Sequence, residues 1–292
     1  MHAVTAGSRA KGFVALTKPR IIELLLVTTL PTMVVAARGL PSLWLMAATL
    51  VGGTLAAGGA NAINMYVDRD IDAVMQRTSR RPLVTGVVRP TEALAFAVAL
   101  EVVAFALLWG TVNLLSAVLA VSATLFYVFV YTLWLKRTSS QNIVIGGAAG
   151  AVPVLVGWAA VRGSVGLAPV LLFALIFVWT PPHFWALAIR YRDDYRSVDV
   201  PMMPAVASFE RTARQIVAYS VLVVLTSAGF GAAAGMGPLY WIAAAVTGGV
   251  FCWFAVALWR SRTEAAAMRL FHWSITYVTL LFGAMAVDQF IR

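Results

Sequence analysis

Three aspartates occur within five residues of one another, directly after an apolar segment, in a chain where acidic residues are scarce. The stretch NAINMYVDRDID, residues 61–72, contains Asp68, Asp70 and Asp72, whereas the whole chain has 12 acidic residues among 292. If a helix continues through it, Asn64, Asp68 and Asp72 share one face and Asp70 lies on the other. Carboxylates on one face repel each other. The arrangement predicts a Mg²⁺ site, because Mg²⁺ binds through one or two carboxylates together with substrate phosphates.

A second acidic cluster occurs in YRDDYRSVDVPMMP, residues 191–204. Asp194 and Asp199 are five residues apart, which places them about 140° apart on a straight helix, so they cannot share a helical face. The two prolines that follow favour a loop or a broken helix end. We predict Asp194 as a cation ligand, with Asp199 the weaker candidate, and the spacing does not separate Asp194 from Asp193.

Basic residues accompany the first cluster. Arg77 and Arg81 follow it in MQRTSRRPL, and Lys136 and Arg137 occur in WLKRTSSQN. One guanidinium group can bind two phosphate oxygens at once, and a lysine ammonium group acts as a point charge. Carboxylates for Mg²⁺ beside cations for phosphate predict a diphosphate site. The alternative is an ordinary basic loop whose acids only reduce its net charge.

The composition indicates the element that must position these residues. The chain is 61% hydrophobic and 12% charged, about half the charge of a soluble domain. Apolar segments of spanning length predict an all-α polytopic membrane protein with about nine transmembrane helices. The predicted segments are 21–37, 41–63, 91–110, 112–134, 142–161, 167–189, 213–234, 239–258 and 270–291. We expect one integral-membrane domain over 1–292, with residues 1–15 as a flexible cytoplasmic tail.

The net charge of +10 has two interpretations. A basic protein can bind nucleic acid, but basic residues also hold the cytoplasmic loops of membrane proteins. If the N-terminus is cytoplasmic, only Arg38, Arg162 and Arg292 of the 22 basic residues fall on the opposite side. We therefore predict no nucleic-acid partner, a multi-pass protein of the cell (inner) membrane, and both acidic clusters on its cytoplasmic side.

Several stretches resemble one known family. Asn64 to Asp72 resembles the first aspartate motif, NxxxDxxxD, of the UbiA-type intramembrane prenyltransferases. Further stretches resemble the branch of that family that farnesylates heme, namely LTKPRI at 16–21, RTSRRPLVTG at 77–86, YTLWLKRTSSQNIVIGGAAGAVPVLVGWAA at 131–160, WTPPHFWALAIRYRDDY at 179–195 and VPMMPAV at 200–206. The resemblance is dense from 16 to 206, and the last three predicted helices match only in hydrophobicity.

The resemblance implies a fold and a reaction. The fold is the UbiA-type helical bundle. Farnesyl diphosphate and heme b combine at a heme vinyl group with addition of water, giving heme O and diphosphate. Mg²⁺ is the implied cofactor, heme b is a substrate, and the lipid bilayer surrounds the protein. A heme A synthase or a terminal oxidase is an implied partner.

The resemblance also implies roles for particular residues. Asn64, Asp68 and Asp72 match the first motif, whereas the segment with Asp194 and Asp199 only approximates the second because it lacks a clean DxxxD. The basic positions that match the surroundings of the diphosphate are Arg77, Arg81, Lys136 and Arg137.

His183 is the further catalytic candidate, since it follows two prolines on the sixth predicted helix. An ionisable residue within the membrane is a functional candidate by default. In the family context its imidazole would ligate or orient the heme iron, or act as a base on the added water. The alternative is a histidine that is hydrogen-bonded between helices beside a proline kink.

Two other functions remain open. The same chemistry with a quinone precursor or a chlorophyllide as acceptor would share both aspartate clusters. A cation-coupled transporter is the alternative from another class, and such proteins place ionisable residues near the bilayer midplane. Here the acids cluster at one face and only Glu101 is central, which favours the enzyme.

Overall fold

The computed structural model describes residues 6–291, apart from the side chains of residues 6, 20, 21 and 24–26, and the described chain is built from helices joined by short connections. In chain order the helices are α1 (Ala6–Leu16), α2 (Pro19–Ala37), α3 (Leu43–Val67), α4 (Arg69–Val74), α5 (Pro90–Thr111), α6 (Leu114–Thr138), α7 (Asn142–Arg162), α8 (Leu167–Arg190), α9 (Arg192–Arg196), α10 (Met203–Val206), α11 (Phe209–Ala233), α12 (Pro238–Ser261) and α13 (Glu264–Ile291). The predicted all-α class is confirmed.

Eight of the described helices are long and apolar enough to cross a membrane, namely α3, α5, α6, α7, α8, α11, α12 and α13. They correspond to eight of the nine predicted segments. The remaining one, 21–37, lies in α2, whose apolar part is the shorter stretch Val27–Ala37. The count of nine spans therefore stays a prediction, as does the cytoplasmic position of the N-terminus.

Residues 6–15 differ from the expected flexible tail, because they form most of α1. Leu16 at the end of this helix is fully buried. The Phe13 ring contacts the Phe96 ring edge-to-face at 5.1 Å, and Arg9 Nη2 donates to Glu92 Oε1 at 2.7 Å. These contacts with α5 hold α1 against the bundle, whereas residues 1–5 lie outside the described part of the chain.

The long helices surround a central space. α3 packs along α5, α6 contacts α5 and α7, and α8 contacts α7, α11 and α13. α13 also packs against α2 and so closes the arrangement. Where α3 meets α5, a Cβ at Gly59 would lie 2.6 Å from Glu101 Oε1, so a larger residue there would have to displace the Glu101 side chain. Thr124 donates to the same Glu101 oxygen at 3.1 Å, which gives this central acid a partner within the bundle.

The second half of α6 is a ten-residue π-helical stretch, Phe126–Leu135. Such stretches occur frequently at functional sites. It brings Tyr127 and Tyr131 together with ring centroids 5.3 Å apart, facing α7. Gly146 of α7 makes this possible, because a Cβ there would overlap the Tyr131 ring. The stretch leads directly to the basic end of α6.

Asp288 joins the last two helices at the end of the bundle away from the acidic clusters. Its buried carboxylate accepts from the N–H groups of Gly237 at 2.7 Å and Tyr240 at 3.3 Å, at the N-terminus of α12. We expect Asp288→Ala to lower the free energy of unfolding by about 1–3 kcal/mol, because buried N–H groups lose their acceptor and the helix dipole loses an anion. Thermal unfolding in detergent would measure this, and an unchanged midpoint would contradict it.

Candidate active site

The first acidic cluster lies where α3 passes into α4. Helical hydrogen bonds continue across the junction, from Asp68 N to Asn64 O and from Asp72 N to Asp68 O, each at 2.9 Å. All three of these residues are buried, and Asp68 is 0% exposed. The side chain of Asp70 is 59% exposed. The predicted face of three polar residues, with Asp70 on the other side, is thus present in the structure.

Two of the predicted basic residues contact this face directly. Lys136 Nζ donates to Asp68 Oδ2, which also accepts from Asn64 Nδ2 at 2.7 Å. Arg81 Nη1 donates to Asp72 Oδ2 at 2.5 Å. These side chains come from three separate parts of the sequence, and they form a polar cluster in which buried carboxylates and partly buried cations compensate each other.

The sequence analysis groups Arg137 with Lys136, but Arg137 lies at the edge of this cluster, with Nη2 3.8 Å from Asp68 Oδ1. Both of its Nη atoms donate to the Asp70 carboxylate at 2.7 Å. That hydrogen bonding lowers the pKa of Asp70 to about 2. Because Arg137 is engaged by a half-exposed carboxylate, its position does not favour the predicted contact with diphosphate.

The second acidic cluster reaches the site through one residue. Asp194 Oδ2 accepts from the backbone N–H of Arg77 at 3.1 Å, which ties α9 to the loop after α4. Asp193 is 81% exposed and pairs with neighbouring arginines. Asp199 is exposed in a left-handed turn with φ 52°, where the chain reverses before Pro201. Both side chains lie at the surface and neither contacts the first cluster, so the metal-ligand role of Asp193 and Asp199 stays a prediction.

Lys18 is the residue of the site that the sequence analysis missed. It lies in the connection between α1 and α2, and its Nζ donates to Asn64 Oδ1 at 2.8 Å. Burial, followed by the charges of Arg81 and Lys136, lowers the pKa of Lys18 to about 7. Its backbone is left-handed, with φ 53°. The signal was present in the matched stretch LTKPRI, but no local pattern shows that this lysine meets an asparagine 46 residues later.

The donor set fits Mg²⁺ in a particular way. No group of three or more His, Cys, Asp or Glu side chains among the described residues is arranged to hold a metal ion. Asp68 Oδ1 is buried and accepts no hydrogen bond, with only the Arg137 guanidinium at 3.8 Å. An oxygen that accepts no hydrogen bond can serve as a ligand for a cation. The set suits an ion that binds one or two carboxylates and completes its shell with water and phosphate.

The polar cluster lies at one end of a cavity of about 370 Å³. Its polar end is lined by Lys18, Asn64, Asp72, Arg77, Arg81, Tyr131, Lys136 and Tyr195. Away from that end, small and apolar residues of α2, α3, α6, α7 and α8 form the walls. Burial raises the pKa of Tyr195, so its phenol stays a neutral hydrogen-bonding group. The cavity combines a charged end with an apolar interior, as an amphiphilic ligand requires.

His183 lies beside the cavity, buried between α8 and α13. Its Nδ1 is 2.7 Å from Ser274 Oγ, and Ser274 Oγ donates its single proton to Phe271 O at 2.6 Å. Nδ1 must therefore be the donor, which leaves a lone pair on Nε2. The imidazole stacks on Trp179 at 4.3 Å. Trp179 lines the cavity, and so does Phe184, which contacts the imidazole edge-to-face.

This geometry can perform one kind of chemistry well. The cations Lys18, Arg77, Arg81 and Lys136 can bind the oxygens of a diphosphate, and they offset the negative charge that develops when it leaves. The apolar walls can hold the attached hydrocarbon and keep water from a carbocation. The carboxylates compensate the cations and can hold a divalent ion.

The family model that matches this chain is described as the UbiA prenyltransferase family, and it covers residues 25–276. The chain belongs to the UbiA prenyltransferase family. The match begins inside α2 and ends inside α13, so it includes the whole polar cluster except Lys18.

Curated relatives from this family are similar over nearly their full length. A protoheme IX farnesyltransferase of Streptomyces avermitilis is 56% identical over 297 residues, covering 98% of this chain and 96% of its own. A protein of the same name from Frankia alni is 55% identical over 290 residues, covering 97% and 99%.

Solved structures of other proteins share the fold. A digeranylgeranylglyceryl phosphate synthase superimposes with a TM-score of 0.78 at 17% identity, covering 96% of this chain and 98% of its own. A UbiA homologue from Archaeoglobus fulgidus, solved with DMAPP and Mg²⁺ bound, has a TM-score of 0.62 at 16% identity, covering 94% and 99%. The predicted UbiA-type bundle is confirmed, and with eight spanning-length helices the chain is a multi-pass membrane protein.

Proposed function

We propose that this protein transfers the farnesyl group of farnesyl diphosphate to a vinyl group of heme b, giving heme O. The observation that carries the proposal is the 56% identity, over 98% of the chain, to a relative named protoheme IX farnesyltransferase. The cavity supports the reaction class independently, because it joins a cationic end to an apolar interior.

The reaction begins with cleavage of the bond between farnesyl C1 and the diphosphate oxygen. Arg81, Lys136, Lys18 and Arg77 bind the departing diphosphate as preplaced cations. Asn64, Asp68 and Asp72, with Asp194 from the second cluster, are the residues that would hold Mg²⁺. When bound, Mg²⁺ supplies further compensation for the diphosphate charge.

C1 then bonds to the terminal carbon of the heme vinyl group. The positive charge passes to the other vinyl carbon, where water adds and a proton is released. The apolar walls of the cavity protect the allylic cation from water until C1 has reacted. Heme b is a substrate here and leaves as heme O, for use by a terminal oxidase or a heme A synthase. We place the site on the cytoplasmic side of the inner membrane, within one integral-membrane domain.

A product assay tests the function. Purified protein in detergent receives heme b, farnesyl diphosphate and Mg²⁺, and the heme pigments are then separated and weighed by mass spectrometry. We expect a new heme, heavier by farnesyl plus hydroxyl, that is absent without farnesyl diphosphate and is lost with EDTA. Prenylation of a quinone precursor in place of heme would contradict the acceptor, and product formation in EDTA would contradict the Mg²⁺ assignment.

His183 gives a separate prediction. We expect His183→Gln to reduce heme O formation at least ~10-fold, because the lone pair of Nε2 can accept the proton that the added water releases. Glutamine keeps an amide that can donate to Ser274, and His272→Gln, on the exposed face of α13, is the matched control. Binding of an unreactive farnesyl thiodiphosphate should not change. Full activity in His183→Gln would show that the histidine only joins α8 to α13.

A further inference from the structure

One face of α3 lines the cavity along most of its length. The lining residues recur every three or four positions, which is the period of a single helical face. In order from the polar end they are Asn64, Asn61, Ala60, Ala57, Ala56, Thr54, Gly53, Leu50 and Thr49. The side chains are small down to Gly53, and Leu50 is the first large one. The position of a residue along α3 therefore gives its depth in the cavity, counted from the polar end.

The depth follows from the helical rise. At about 1.5 Å per residue, Gly53 lies about 16 Å and Leu50 about 21 Å along the axis from Asn64. The facing helices give a similar depth. The deepest lining residue of α7 is Val156, and that of α8 is Ile176. Each lies about 21 Å from the polar end of its helix. The lining contributed by these three helices therefore ends at about the level of Leu50.

This depth corresponds to a particular chain. An extended chain advances about 1.2 Å per bond, so the 12-carbon backbone of a farnesyl group spans about 13 Å and the 16-carbon backbone of a geranylgeranyl group about 18 Å. With C1 a few ångströms inside the polar cluster, the last unit of farnesyl reaches Gly53. A fourth isoprene unit would meet Leu50.

Gly53 differs from its neighbour Gly52. A Cβ at Gly52 would lie 2.5 Å from the Leu108 side chain, so that glycine serves the packing of α3 on α5. A Cβ at Gly53 would have nothing within 4 Å. Because Gly53 also lines the cavity, a side chain placed there would begin in open space within the cavity.

We infer that Gly53 and Leu50 set the length of the prenyl chain, Gly53 by leaving room for the third isoprene unit and Leu50 by stopping a fourth. The inference rests on the proposed function, since it assumes that the cavity holds the prenyl chain of a diphosphate bound at the polar cluster.

Binding of unreactive prenyl thiodiphosphates of 10, 15 and 20 carbons tests this without a heme acceptor. Dissociation constants are measured with Mg²⁺ for the wild type, Gly53→Leu and Leu50→Ala in detergent. Gly249→Leu is the matched control, because Gly249 lies within α12, is exposed, and also has nothing within 4 Å of an added Cβ.

We expect Gly53→Leu to weaken binding of the 15-carbon compound at least ~10-fold and binding of the 10-carbon compound less than ~3-fold. The reason is that only the longer chain loses burial of its last isoprene unit. Leu50→Ala should strengthen binding of the 20-carbon compound at least ~5-fold relative to binding of the 15-carbon one. Gly249→Leu should match the wild type.

Two outcomes would overturn the inference. In the first, Gly53→Leu weakens binding of all three compounds equally and Leu50→Ala leaves the order of their affinities unchanged. In the second, neither variant changes any dissociation constant. Failure of the proposed function is distinguishable from both. Wild-type protein that shows the expected length order but forms no heme product would contradict the acceptor and support the length assignment.

Discussion

Replacing Asp72 with asparagine should reduce turnover by ~10²–10³-fold, whereas Asp70→Asn should change it less than ~3-fold. Asp72 is buried, binds Arg81 and lines the cavity. Asp70 is two residues away, half exposed and bound to Arg137 on the other side of α4. The two substitutions remove the same charge from the same helix. A difference in turnover between the two variants therefore depends only on where each carboxylate lies.

The comparison requires that both variants fold. Asparagine keeps the shape of the side chain and one oxygen acceptor, and the thermal unfolding midpoint in detergent would verify that the bundle is intact. Asp68→Asn should resemble Asp72→Asn, because Asp68 has a buried oxygen that accepts no hydrogen bond and its other oxygen binds Lys136. Equal losses at Asp68, Asp70 and Asp72 would contradict a site built on one helical face.

The first aspartate cluster could be predicted because helical periodicity is a local property. Given a helix through residues 61–72, the spacing alone assigns Asp68 and Asp72 to one face and Asp70 to the other. The long apolar segments were equally local signals, and the structure has eight of them as helices of spanning length. Predictions of this kind need no knowledge of which helices are neighbours.

The second cluster could not be placed in this way, because its geometry is set by a loop. Asp193, Asp194 and Asp199 have similar surroundings in the sequence, and only the contact with the Arg77 N–H distinguishes Asp194. Arg137 follows Lys136 directly, but consecutive residues of a helix point in different directions, so the side chain of Lys136 donates to Asp68 and that of Arg137 to Asp70. α1 was missed because its packing on α5 depends on contacts far apart in sequence.

The role of Lys18 could not be predicted for both of these reasons, loop geometry and a contact far away in the sequence. It lies in a connection between helices, in a left-handed conformation that non-glycine residues rarely adopt. Such backbone strain persists where the surrounding structure imposes it, and it concentrates at functional sites. A buried lysine whose pKa is lowered to about 7 is a poorly solvated cation, so an arriving diphosphate would gain a strong electrostatic partner. The strain and the desolvation both point to binding of substrate rather than to stability.

We therefore expect Lys18→Met to lower kcat/KM for farnesyl diphosphate by ~10–100-fold, which corresponds to one hydrogen bond to a charged group. Lys11→Met is the matched control, since Lys11 is exposed on α1. The thermal midpoint should not fall, because methionine fills a similar buried volume without an ammonium group to desolvate. Binding of farnesyl thiodiphosphate should weaken in parallel with kcat/KM. If Lys18→Met instead lost stability while its binding of the thiodiphosphate stayed at the wild-type level, the lysine would serve only to hold Asn64 beside Asp68.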